Sequence, residues 1–171
     1  VLVLTKPLGS GVLTTAIKAD LISPAARDAV YAHMATLNKK AGEAVRNAKN
    51  VHACTDVTGF GLLGHGYEMA SGSGVTIRLH GATLPLMDEA RDMAEMGIIP
   101  AGAYRNMDYV KPHLTVLPTA QQVFLDLAAL LLSRMAVLVL PRALRLHLLG
   151  LLHAARLLLG LGAVSYTHLT L

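Results

Sequence analysis

Cysteine is almost absent from this sequence: one, Cys54, occurs in 171 residues, and tryptophan is missing altogether. A single thiol excludes an intramolecular disulfide framework, and without a Cys-x-x-Cys pair a thiolate zinc site is excluded as well. Such sparing use of cysteine fits a reducing compartment, so the cytoplasm is the expected location. Charge is also scarce, at 15% of residues against 53% hydrophobic. That balance rules out general disorder, and a mass of 18.1 kDa suits one ordinary domain with its own core. No uncharged apolar run reaches the roughly 18 residues of a membrane-spanning helix. Val1–Leu4 is far too short for a secretory signal and has no basic flank. The missing initiator methionine leads us to expect a piece of a longer protein.

Acids are missing from one whole region. Residues 1–126 hold all 11 Asp and Glu together with 11 of the 15 Lys and Arg, so that part is neutral. Residues 127–171 hold four Arg, no Lys, no acid and eighteen Leu, and they account for the net charge of +4. A nucleic-acid surface normally mixes Lys and Arg with polar residues rather than leucine, so no nucleic-acid partner is expected.

Helices and short strands interleave through the first part of the chain, which argues for an α+β or α/β domain. Val1–Thr5 reads as a short strand stopped by Pro7 and Gly9, and Ser10–Ala19 as a helix. Ser23-Pro24 is a helix start, with Ser as N-cap and Pro at the first helical position. Ala26, Val30, Met34, Leu37, Ala41, Ala44 and Ala48 then recur at spacings of three and four, predicting one long amphipathic helix. Val51–Asp56 reads as a second strand, Leu62–Ala70 as a helix after a glycine turn, and Val75–Leu79 as a third strand by its alternation. Leu86–Met96 is predicted helical, with Asp88, Glu89 and Asp92 near its first turn. Gly97–Lys111 is predicted to be loop. Met87, Met93 and Met96 sit at core-like positions, and His33 reads as a partly buried helix residue. His52, His65, His80 and His113 show no metal-ligand spacing.

The densest chemical signal is the run His52-Ala-Cys-Thr-Asp56-Val-Thr58-Gly59-Phe-Gly61-Leu-Leu-Gly64-His65. Its G-x-G-x-x-G falls between a strand and a helix, as a dinucleotide fingerprint does. That reading expects an acid about 20 residues on to hold a ribose. Here the next strand runs Arg78-Leu-His80-Gly81 instead. Asp56, just before the glycines, would moreover repel a pyrophosphate unless a cation lay between. Two uses of these residues remain open. Asp56 could hold Mg²⁺ while the backbone amides of the glycine turn face phosphate oxygens. Alternatively, Asp56 and Thr58 merely cap the turn.

The run Asp56–His65 resembles the signature of selenophosphate synthetases (selenide, water dikinases). Thr5-Lys-Pro-Leu-Gly9 with Gly11–Ala16 resembles that family's segment joining two domains, and Gly97–Gly102 with Arg105-Asn106 resembles a third block. The resemblance covers residues 1 to about 113. It implies an α+β C-terminal domain of the aminoimidazole-ribonucleotide synthetase-like type, from a homodimeric enzyme that turns ATP, selenide and water into selenophosphate, AMP and phosphate. By resemblance Asp56 is a Mg²⁺ ligand, and Thr58, Gly59 and Gly61 shape the phosphate side of that corner. Lys6 stands near the domain join, either close to the nucleotide or simply solvated. No catalytic residue falls in this chain, because the family's reactive cysteine or selenocysteine and its lysine belong to the N-terminal domain. Cys54 reads instead as a small buried strand residue. The chain alone is expected to be inactive, since phosphoryl transfer needs several metal and phosphate contacts at once.

The resemblance divides the chain into residues 1–10, the end of an inter-domain segment; 11–116, a partial C-terminal domain; and 117–171, a tail unlike the family. The tail is expected to be helical or disordered. Its Leu/Ala/Arg/Pro bias is what a GC-rich gene gives out of frame, and Ser165–Leu171 resembles translated adapter read-through. The family-like chain is therefore expected to end between His113 and about Asp126. A rival reading takes Arg134, Arg142, Arg145 and Arg156 as one face of a basic helix lying on a membrane, although Pro141 interrupts it. We expect no membrane partner. Other enzymes of the same superfamily, thiamine-phosphate kinase-like or aminoimidazole-ribonucleotide synthetase-like, are the functional alternatives, followed by a membrane-surface or interaction protein acting through the tail.

Overall fold

A computed structural model of the chain describes residues 2–116 and the strand at 136–141. Its elements run β1 (Val3–Leu4), α1 (Ser10–Lys18), α2 (Pro24–Ala35), α3 (Lys39–Asn47), β2 (Val51–Val57), α4 (Gly61–Ser73), α5 (Ala90–Glu95), α6 (Gly102–Val110) and β3 (Ala136–Pro141). Short 3₁₀ turns at Gly81–Thr83 and Lys111–His113 complete the order. The mixture is α+β, as expected.

The sheet is antiparallel with strand order β1-β3-β2. β3 lies between the other two, with Val139 opposite Val3 on one side and Cys54 on the other. The tail expected to be helical or disordered thus supplies the central strand. Val137 and Val139 are β-branched and suit a pleated surface better than a helix. The rest of the tail, including Arg134, Arg142, Arg145, Arg156 and Ser165–Leu171, lies outside the described residues.

Along β2, exposure alternates. His52, Cys54 and Asp56 are exposed, while Val51, Ala53 and Thr55 are half-buried and Val57 is fully buried. Of the second set, Val57 belongs to a core with Leu8, Val12, Leu13, Val30, Leu62 and Leu63, and Ala53 packs against it. The residue pattern alone predicts a short apolar strand with Cys54 buried. That expectation is corrected: a strand covered on one face alternates, and Cys54 shares its open face with Asp56.

Five further expectations change. The long helix is two, α2 and α3, with Thr36 in extended conformation between them. Lys6 Nζ donates to the Thr36 carbonyl, a tie from 30 residues away that no local pattern encodes. Leu37, read as part of the apolar stripe, is 72% exposed, and α3 buries no residue. Val75–Leu79 keeps its alternation, with Ile77 and Leu79 buried, but is not assigned as a strand. α5 starts at Ala90 rather than Leu86 because Leu8 occupies the backbone there: its N–H donates to Pro85 (2.8 Å) and its carbonyl accepts from Met87 (2.8 Å). Gly97–Lys111 is not all loop but contains α6, which buries Ala103, Asn106 and Val110. Of the three methionines only Met93 is buried, and Met96 is exposed.

Gly9 shows why the first block needs glycine. Its φ is +120°, and a Cβ there would sit 2.6 Å from the Cβ of Ala90, so α1 and α5 meet at this point.

Candidate functional site

Asp56 is the penultimate residue of β2, and its backbone pairs with Val137. Fully buried Val57 anchors the strand end, and Leu62 and Leu63, each 2% exposed, anchor the start of α4. Between these anchors Thr58, Gly59 and Phe60 form a tight turn, closed by the Gly61 N–H donating to the Thr58 carbonyl at 3.0 Å. Gly61 has φ +70°, a left-handed conformation that costs any residue with a Cβ about 1–2 kcal/mol.

The capping reading fails here. Phe60 occupies the N-cap position of α4, no side chain among the described residues caps the helix, and its first turn carries no acid. The first N–H groups of this 13-residue helix therefore lack side-chain acceptors and present partial positive charge. Thr58 Oγ1 is instead hydrogen-bonded to Nε2 of His65 (3.1 Å), whose Nδ1 meets Glu68 Oε2 at 3.0 Å. His65 is 8% exposed, with the Phe60 ring edge-on at a centroid distance of 5.7 Å. The Asp56 carboxylate has no hydrogen-bond partner among the described residues.

A second tie comes from α6, where the Asn106 side-chain amide donates to the Gly59 carbonyl at 2.8 Å. Asn106 is 7% exposed. The same helix brings Tyr109 against Phe60 and Tyr67, and His113 stacks on Tyr67 with ring centroids 4.2 Å apart. His65, Glu68 and Asn106 are thus part of the site, though the residue pattern assigned none of them a role. The legible signal was His65 and Glu68 at a spacing of three on one helix; Asn106 gave none short of tertiary structure.

Other candidates lie elsewhere. Lys6 is held by the Thr36 carbonyl at the end of α2, and partial burial lowers its pKa. His33 is lowered too, first by burial and then by the neighbouring Lys6 charge, and its Nε2 is buried without a partner among the described residues. The Cys54 thiol is pushed up by desolvation and secondarily by the Asp56 carboxylate, the opposite of an activated thiolate. A groove of about 460 Å³ lies between Pro7, Ser23, His33, Met87 and Glu89, and no residue of the Asp56–His65 turn lines it.

Asp56 can serve a hard cation only as one donor of several. Among the described residues no three His, Cys, Asp or Glu side chains come together to hold a metal. A single exposed carboxylate is nevertheless compatible with Mg²⁺, which takes one or two carboxylates and fills its shell with water and phosphate oxygens. No helix among the described residues is long and apolar enough to cross a membrane.

Comparison with known proteins agrees with this arrangement. The family model "AIR synthase related protein, C-terminal domain" matches residues 1–158. A selenide, water dikinase of Clostridium botulinum (strain Alaska E43 / Type E3) is 50% identical over 126 residues, 74% of this chain and 36% of the relative. The selenide, water dikinase of Caldanaerobacter subterraneus subsp. tengcongensis is 51% identical over 111 residues, 65% of this chain and 32% of the relative. Selenide, water dikinase 2 of Peptoclostridium acidaminophilum is 49% identical over 110 residues, 64% of this chain and 31% of the relative. The chain spans about a third of the length of these curated relatives. A match over 158 residues, joined to an α+β fold and the Asp56–His65 turn, settles the family: the chain belongs to the AIR synthase related proteins, as their C-terminal domain, and within them it resembles the selenide, water dikinases.

Proposed function

We propose that this chain provides one wall of the nucleotide site of an ATP-dependent selenide, water dikinase, a phosphotransferase making selenophosphate, AMP and phosphate from ATP, selenide and water. The observation that carries this reading is the Asp56 carboxylate, exposed at the mouth of an uncapped helix start and engaged by no other described side chain. An anion at the start of α4 would meet the backbone N–H groups after Gly59 and Gly61. Next to it, Asp56 would hold a cation that separates the carboxylate from the phosphates. Mg²⁺ would supply charge neutralisation to the phosphoryl oxygens there.

The parts of the chain have distinct tasks in this scheme. Asn106 fixes the Gly59 carbonyl, so the turn keeps its shape without a ligand. Residues 1–10 would lead in from a preceding domain that carries the reactive cysteine or selenocysteine, its lysine and the remaining metal ligands. The enzyme would work as a cytoplasmic homodimer, and residues 11–116 on their own would lack turnover.

The test uses a full-length protein carrying this segment. Asp56→Asn keeps the shape and removes the charge, and it should lower selenide-dependent AMP formation by at least about 100-fold with an unchanged circular-dichroism spectrum. Near-normal turnover at ordinary Mg²⁺ would refute the assignment.

A further inference from the structure

We propose that Glu68 and His65 act as positioning residues that fix the direction of the Thr58 hydroxyl, so that Thr58 offers oxygen lone pairs, and no proton, to the corner beside Asp56. This rests on the cation reading of Asp56 and deepens it. It reassigns Thr58 from the phosphate side of the corner to the cation side.

The argument follows from donor and acceptor inventories. An ionised carboxylate only accepts, so the 3.0 Å contact between Glu68 Oε2 and His65 Nδ1 places a hydrogen on Nδ1. In our proposal Nε2 then carries the ring's bare lone pair. Thr58 Oγ1, 3.1 Å away, is the partner of that lone pair, and it owns a single hydrogen. That hydrogen points inward to His65. Turning the imidazole over would put ring carbons against both Thr58 and Glu68, so the orientation is set by its neighbours. With His65 8% exposed and Phe60 against its edge, water has little access to substitute for either partner.

A hydroxyl whose proton is committed inward is a poor neighbour for a phosphate oxygen, since two acceptors would face each other. It is a good neighbour for a hard cation or for water bound to one. Phosphate oxygens are left to the backbone N–H groups at the start of α4, which are donors only. The turn thereby separates its two chemistries: oxygen acceptors at Asp56 and Thr58, and backbone N–H donors on the helix side of it.

Two readouts test this on the chain as it stands, with no turnover needed. The first is the long-range ¹H–¹⁵N spectrum of the histidine side chains. We expect His65 with Nδ1 protonated and Nε2 bare, the tautomer less favoured in free histidine. A protonated Nε2 overturns the proposal. The second uses Mn²⁺ as a paramagnetic stand-in for Mg²⁺, read as broadening of the Thr58 methyl signal. Glu68→Ala, at a half-exposed helix position, removes the acceptor at Nδ1 and should return the ring hydrogen to Nε2, its favoured place in free histidine. Apparent Mn²⁺ affinity should then fall about fivefold, the worth of one hydrogen bond. In a Thr58→Val background, read at the Val methyls, Glu68→Ala should cost nothing further, whereas a merely structural effect of Glu68 would persist. Equal Mn²⁺ affinity of the parent chain and Glu68→Ala also overturns the proposal. Asp56→Asn separates the two levels. If it leaves Mn²⁺ broadening intact, the cation reading itself has failed, whatever the tautomer.

Discussion

Replacing Gly64 by alanine should damage the site turn, while the same change two residues on should help the protein. A Cβ at Gly64 would lie 2.7 Å from the Cβ of Phe60, where ordinary contact begins at 3.4 Å. Rotating the Phe60 side chain gives no relief, because χ1 rotation moves the ring and leaves Cβ in place. The backbone of the Thr58–Gly61 turn has to shift instead, an overpacking cost of about 1–3 kcal/mol. Gly66 is the internal control. It sits in the same helix, and nothing among the described residues lies within 4 Å of where its Cβ would be. Both substitutions gain about 1 kcal/mol of helix propensity, so that contribution cancels between them. Gly66→Ala should therefore be stabilising by about 0.5–1 kcal/mol, and Gly64→Ala should fall below it by about 1–3 kcal/mol. Urea denaturation of the two variants and the parent measures this directly, with similar slopes and a midpoint difference of about 1 M. If Gly64→Ala proves as stable as Gly66→Ala, the turn does not press on the helix as described.

Two further changes probe other contacts. Asn106→Ala should cost about 1 kcal/mol by deleting the bond to the Gly59 carbonyl. Asn106→Asp should cost more, since an acceptor would then face that carbonyl; equal urea midpoints for parent and Asp variant would refute the tie. Acid should destabilise the chain in two steps, seen as a falling urea midpoint. His33 has a pKa lowered from 6.5 by burial and by Lys6, so its contribution is complete above pH 6.5 and is lost as pH falls through the lowered value. Glu89, lowered from 4.5 mainly by the Ser23 hydroxyl and also by its N–H, loses its contribution only below pH 4.5. His33→Gln should flatten the first step and leave the second.

What could be read in advance was local. Ser23-Pro24 marked the start of α2, and the Ser23 hydroxyl does accept from the Ala26 N–H at 3.1 Å. Strand β2, the glycine turn and α4 likewise follow from short-range pattern. The failures were non-local. Leu37 fits the helical stripe perfectly, but the Lys6–Thr36 tie interrupts the helix before it. Leu86 and Met87 look helical, but Leu8 takes their backbone. α6 escaped because polar Asn106 sits inside its apolar stripe of Ala103 and Val110, and its partner, Gly59, is 47 residues away. Asp56 and Thr58 were legible as a candidate site, yet their choice between capping and ligand duty was not, because it depends on where the Thr58 hydroxyl points.

That choice decides which groups remain for chemistry. The Gly59 carbonyl is held by Asn106, the Thr58 carbonyl by the Gly61 N–H and the Thr58 hydroxyl by His65. These three oxygens thus have partners within the protein, and Val57 and Leu62 keep the turn from sliding in either direction. In the proposed reading, what remains for a ligand is the exposed Asp56 carboxylate, the lone pairs of the Thr58 hydroxyl and the N–H groups of exposed Gly59 and Phe60 leading into α4. An acceptor pair beside a donor row is a matched surface for a cation lying against an anion. A phosphate alone would leave Asp56 repelled, and a cation alone would leave the helix start without an acceptor. In the proposed function the turn would be complementary to the two together, which is the form in which a nucleotide polyphosphate presents itself to a protein.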